Sequence, residues 1–174
     1  MTILARRLAV AVAVVAGLVA ADLASKRWAA SDLKRGGPRE LIPNHLTLVY
    51  RENPGAVLGL LADAPPPVRS AVLIGLSALA GAVTLTLLSL RLRHPAPGLV
   101  LPAGLATLLA GTIGNLHDRL RRGFVVDFIE WWVAGRFRWP TFNVADAEIA
   151  AGLALCALAA ASTAYRRSKL ARLT

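Results

Sequence analysis

The sequence predicts an all-α membrane protein with four transmembrane helices. Two observations carry that prediction. Of the 174 residues, 56% are hydrophobic and only 17% are charged, where a soluble domain carries about a quarter charged residues. The apolar residues also gather into four runs, each close to the ~20 residues that cross a bilayer as a helix.

The runs are about 8–24, 68–90, 98–116 and 147–165. The first is broken only by Asp22 and is preceded by Arg6 and Arg7. It has the look of a signal peptide, with small residues around "VAADLAS". An uncleaved span is the better reading, because three more runs follow and an even number keeps both basic termini on one side. The runs are rich in Ala, Leu, Val and Gly, and such small residues let helices approach closely in lipid. The expectation is a single integral membrane domain over residues 1–174.

Charge sets the orientation. With both termini cytoplasmic, residues 1–7, 91–97 and 166–174 hold eight bases in 23 residues. The remaining 12 bases are spread over two longer outer loops and the span edges, so base density favours this topology. All ten carboxylates then fall in the outer loops or at span ends facing them. The net charge of +10 does not signal nucleic-acid binding, since the bases are dispersed between apolar runs. Cys156 stands alone in an apolar run, and no metal-ligand spacing surrounds it.

The outer loops differ in pattern. In 25–67, Leu46, Leu48 and Tyr50 alternate with Thr47, Val49 and Arg51, the period of a strand. "ENPGAVLG" then ends the strand with turn residues, so 43–59 reads as a small β-element on the membrane surface. The second loop, 117–146, holds Trp131, Trp132, Phe137 and Trp139 among Arg136 and Arg138. That composition suits a segment lying at headgroup level.

Several polar groups sit where apolar runs end. Asp22 and Lys26 are four apart and pair on one helix face. Asn53-Pro54-Gly55 is a turn. Asn115, Asp118 and Arg119 arrive within five residues at the end of the third run. Asp127 is embedded in "FVVDFIEW", and Asp146 follows Asn143 by three residues in "FNVADAEIA". Asp146 alone reads as a helix cap. Paired with Asp127 on the same membrane face, it reads as half of an acid–base site. Two carboxylates in a low-dielectric site do not both ionise easily, so one keeps its proton. The ionised acid takes a proton from water, and the protonated one polarises a carbonyl and later protonates the leaving amine. That is peptide hydrolysis without metal or cofactor.

At these residues the chain resembles the lipoprotein signal peptidases (signal peptidase II). Four blocks fit in order: "DLASK", "NPGAVLG", "GNLHDRLRRGFVVDF" and "FNVAD". The resemblance implies an aspartic membrane protease that cuts diacylglyceryl-modified prolipoproteins just before the lipidated cysteine. Asp127 and Asp146 match the catalytic dyad, and Asn53, Gly55, Asn115, Arg119 and Asn143 match residues that line the site or hold substrate. Asp22, Lys26 and Asp118 fall at supporting positions. The implied fold adds a small periplasmic β-cradle and a short interfacial helix, matching 43–59 and 130–138. The implied partners are prolipoprotein, membrane lipid and inhibitory peptide antibiotics of the globomycin type, with no nucleic acid. The implied location is the bacterial inner membrane.

The chain departs from the family at Val57 and Leu58, where an aromatic is usual, and in carrying His117 and Glu148. Glu148 reads as a first-turn acid facing the helix dipole. A transporter would bury its acids at mid-bilayer rather than at the outer span ends. A metal hydrolase would use His117, Asp118, Asp127, Glu130 and Asp146, but no His-x-x-x-His or comparable ligand pair supports it.

Overall fold

Helix α1 (Ile3–Trp28) begins at Thr2, whose hydroxyl accepts from Ala5 N at 3.2 Å. It runs through a π-helical turn at Ala29–Leu33 into a short α2, Lys34–Gly36. The chain is described from a computed structural model covering residues 2–55, 64–94, 98–133 and 137–171. The "NPGAVLG" positions Val57 and Leu58 and the turn residue Gly59 lie outside the described residues. After α2 come strands β1 (Arg39–Ile42) and β2 (Leu46–Asn53), then helices α3 (Pro66–Arg93) and α4 (Val100–Arg122). Strands β3 (Val125–Val133) and β4 (Phe137–Arg138) precede α5 (Val144–Ala171).

Among the described residues, four helices are long and apolar enough to cross a membrane, and the helix that opens with α1 extends to Gly36. All four outrun the apolar stretches that announce them, because charged end turns stay helical. Helix α4 carries Asp118, Arg119, Arg121 and Arg122 in its last turns and stops at Gly123. There φ is +78°, which suits glycine, and Gly123 N donates to Arg119 O at 3.1 Å. Helix α5 starts three residues earlier than the apolar run.

Helices α4 and α5 pack backbone to backbone. A Cβ on Gly152 would sit 2.6 Å from Leu108 N, and one on Gly104 would sit 2.9 Å from Leu155 Cβ. Glycine at both faces removes that obstruction, as close packing in lipid requires.

The strands form one antiparallel sheet in the order β1-β2-β3-β4. Both long loops contribute to it, since β2 pairs with β3. The predicted β-element therefore begins earlier, at Arg39, and gains a partner from the second loop. The expected interfacial helix over 130–138 is not found. Its described residues, Glu130–Val133 and Phe137–Arg138, are strand. Ladder hydrogen bonds decide this: Trp132 N donates to His45 O at 2.7 Å, and Trp139 N donates to Trp131 O at 2.8 Å. The aromatic composition suits the exposed side of a sheet as well as a helix, and Trp131, Phe137 and Trp139 all remain exposed.

The sheet seats on the end of α1. Val126 and Phe128 pack with Ala29 and Leu33, and Trp28 meets Phe128 edge-on at 6.3 Å between centroids. Strand alternation turns Asp127, between those two apolar residues, to the other face.

Candidate active site

Asp127 is positioned from three sides. Strand β3 fixes its backbone, and Asp118 at the end of α4 accepts from the neighbouring Val126 N at 3.2 Å. Asn53, near the end of β2, donates Nδ2 to Asp127 Oδ2 at 2.8 Å. Gly55 N holds the other end of that amide, donating to Asn53 Oδ1 at 3.0 Å. The turn signal of Asn-Pro-Gly thus has a second result: it fixes which amide atom faces the acid. From the third side, Asn143 Nδ2 donates to Asp127 Oδ1 at 2.7 Å.

Asp146 stands in the first turn of α5. It is not the cap itself. Asn143 caps α5, its Oδ1 accepting from Asp146 N at 2.9 Å, while Asp146 Oδ2 accepts from Asn143 N at 3.1 Å. This reciprocal pair is a capping box with Asp in the third position. Asn115 of α4 donates Nδ2 to the other oxygen, Asp146 Oδ1, at 2.8 Å.

The two asparagines also bond each other. Asn143 Nδ2 donates to Asn115 Oδ1 at 3.2 Å. Lys26 Nζ donates to the same oxygen at 3.0 Å. A lysine has no acceptor, so the atom facing it must be the amide oxygen, which leaves the Asn115 NH₂ for Asp146. Lys26 thereby sets the polarity of the whole chain of amides.

Lys26 is fully buried and held by Asp22 at 2.9 Å and Asp118 at 3.2 Å. Asp118 also faces Arg122 Nε at 3.5 Å. Asp22 does more than pair with Lys26. Its Oδ1 accepts from Ala145 N at 2.9 Å, so an acid on α1 satisfies an open N–H at the start of α5. Gly114 makes room for it: a Cβ there would collide with Asp22 Oδ2 and lie 3.2 Å from Ala145 Cβ. Gly114→Ala is therefore expected to lower stability by about 1–3 kcal/mol. Gly17→Ala, with nothing within 4 Å of the new methyl, is expected to be neutral or stabilising. Thermal unfolding of both variants in the same detergent checks this.

The site is electrostatically asymmetric. Asp127 is only 3% exposed and Asp146 is half-buried. Burial pushes the Asp127 carboxyl up to about 6, the charge of Asp146 adds to that, and the Asn53 and Asn143 hydrogen bonds oppose it. The Arg119 side chain, on α4, makes no ion pair with either acid and, among the described residues, only a long contact, 3.5 Å, to Ser77 Oγ of α3.

The structure thus brings Asp127, Asp146, Asn53, Gly55, Asn115 and Asn143 into one hydrogen-bonded cluster, with Asp22, Lys26 and Asp118 behind it. Glu148 departs from expectation. Because α5 begins at Val144, Glu148 lies past the first turn, 7% exposed and packed near Gly111, and neither oxygen has a hydrogen-bond partner among the described residues. Sequence reasoning weighed Glu130 only as a metal ligand; it is buried and meets Arg51, Arg138 and Trp132. An acid beside two tryptophans, whose arginine partners lie 8 and 79 residues away, carries no local signal.

Residues 14–162 match the family model described as Signal peptidase (SPase) II. The chain belongs to the signal peptidase II family. Curated relatives agree. It is 38% identical over 136 residues to a protein of Desulforapulum autotrophicum named lipoprotein signal peptidase, covering 78% of this chain and 82% of that one. A namesake from Serratia proteamaculans is 37% identical over 137 residues, covering 79% and 78%. Among solved structures, a bacterial membrane enzyme determined by the in meso method at 2.3 Å superposes with a TM-score of 0.71 at 26% identity, over 88% of each chain. With four helices able to cross a membrane and a neighbour described as a bacterial membrane enzyme, this family member is a multi-pass membrane protein.

Proposed function

We propose that the chain is an aspartic endopeptidase of the bacterial inner membrane. It removes the signal peptide from diacylglyceryl-modified prolipoproteins, cutting before the lipidated cysteine. One observation carries the reading: a single residue, Asn143, bonds both carboxylates, through Nδ2 to Asp127 and through its backbone N–H to Asp146. The family and its relatives' names supply the substrate class.

In this reading the dyad shares one proton. The ionised acid takes a proton from water as its oxygen attacks the scissile carbonyl carbon. The protonated acid donates to the carbonyl oxygen. When the C–N bond breaks, a dyad proton passes to the leaving amine. Asn53, Asn115 and Asn143 hold the acids in register, and Arg119 and the Asn53–Gly55 turn line the peptide's path. Both termini face the cytoplasm and the dyad faces outward, level with the ends of α1 and α4. A substrate anchored by acyl chains meets it there without leaving the bilayer. Peptide antibiotics of the globomycin type would occupy the same space.

The test uses the full-length chain in nanodiscs with a diacylglyceryl-cysteine peptide and the same peptide bearing a free thiol. Cleavage of the lipidated peptide alone, unchanged by chelator, is expected. Equal cleavage of both peptides, or loss of cleavage on chelation, would sink the proposal.

A further inference from the structure

At the ends of α1 and α4 opposite the carboxylates, α1, α3 and the start of α4 enclose a groove of about 680 Å³. Val10, Val14, Leu88, Leu92, Ala103 and Ala106 form much of its wall. Three arginines, Arg6, Arg7 and Arg91, border it, and no acid lines it. Arg91 is held in place by its own turn, donating to His94 O at 3.4 Å and Gly98 O at 3.3 Å. Arg6 and Arg7 make no ion pair among the described residues.

Position and chemistry name the occupant. From Arg7 to Lys26 the helix rises roughly 28 Å at 1.5 Å per residue, about one hydrocarbon thickness. Arg6 and Arg7 therefore stand at headgroup depth when the carboxylates stand at the opposite interface. A pocket that is apolar along its length and basic at one end matches an acyl chain joined to an anionic headgroup. Basic pockets between membrane helices recognise such lipids.

We propose that this groove binds one anionic phospholipid of the leaflet opposite the dyad. An acyl chain lies against Val10, Val14 and Ala103, and the phosphate meets Arg6 and Arg7. The site is separate from the proteolytic centre, and its test uses no proteolysis.

The full-length chain is reconstituted in nanodiscs of phosphatidylglycerol and phosphatidylcholine with identical acyl chains, and co-released lipid is measured by native mass spectrometry. The wild-type chain is expected to retain phosphatidylglycerol about 30-fold over phosphatidylcholine, roughly fivefold for each arginine at an anionic surface. Arg6→Gln with Arg7→Gln should reduce the preference to about twofold or less, and Ala103→Phe, which fills the groove, should reduce retention of both lipids. Thermal unfolding without added lipid should be the same for all three proteins. Equal retention by the wild-type chain, as for lipid that merely surrounds the protein, overturns the proposal. So does a preference that survives the double change, or retention undiminished in Ala103→Phe. Dimers crosslinked through a cysteine placed at Ala103 would assign the groove to a second copy instead and would equally overturn it.

Discussion

Asp127→Asn and Asp146→Asn are each expected to lower lipopeptide cleavage at least about 10³-fold without unfolding the chain. Either change removes one half of the proton exchange while keeping the size of the side chain. The two losses should not add in the double variant, because the acids act as a unit. The wild-type profile of kcat/KM against pH should fall as pH rises through about 6, where Asp127 loses its proton in the free protein. Stability follows the same shift with a definite sign. The folded carboxyl is raised from 3.8 to about 6, so the unfolded chain releases its proton first as pH climbs. Ionised Asp127 therefore weakens the fold across that window, and the penalty is complete above it. Asp127→Asn should consequently unfold at a temperature no lower than the wild type at pH 7.5. A variant that is inactive and clearly less stable would indicate a structural acid. Full activity in either single variant would end the dyad reading.

Lys26→Met is expected to destabilise the chain by about 3–5 kcal/mol, the range for breaking a buried ion pair from one side. Asp22, Lys26 and Asp118 are all fully buried, so the change leaves Asp22 without its cation and Asp118 with only the partly exposed Arg122. It also frees the Asn115 amide, whose orientation Lys26 enforces. Turnover per folded molecule should therefore fall as well. The triple variant Asp22→Asn, Lys26→Met, Asp118→Asn separates the two effects. It should regain part of the stability, since no charge is stranded, while activity stays low. Unfolding of Lys26→Met within 1 kcal/mol of wild type would contradict the buried-triad account.

Much of the site was legible because its acids stand where solvated charges do not belong. Asp127 between Val126 and Phe128, and Asp146 at the mouth of an apolar run, are costly placements that ask for a reason. The Asp22–Lys26 pair was legible from its helical spacing. Other features were hidden for physical reasons. Strand β3 is buried on both faces at Val125–Phe128, so it shows no alternation and reads only as an apolar stretch. The tryptophan-rich continuation read from composition only as a headgroup-level segment, and the helix came from the family resemblance, because an amphipathic composition does not distinguish a helix from a sheet edge. The reach of Lys26 was invisible too: Asn115, its hydrogen-bond acceptor, is 89 residues away. Glu148 was misplaced by a boundary error of three residues, which turned an end-of-helix acid into a buried one. Asn143 was noted as a neighbour of Asp146, but only the geometry makes it the residue that holds both acids.

The hydrogen bond from Ala145 N to Asp22 spans 123 residues of sequence. It joins the first helix to the start of the last. Asn143 and Asp146 leave the ribosome after Asp22, Asn53 and Asp127 are already made. A growing chain carries Asp127 without Asp146 until α5 inserts. In the proposed reading, the protein acquires the power to cut only once the start of α5 has joined the strands that hold Asp127.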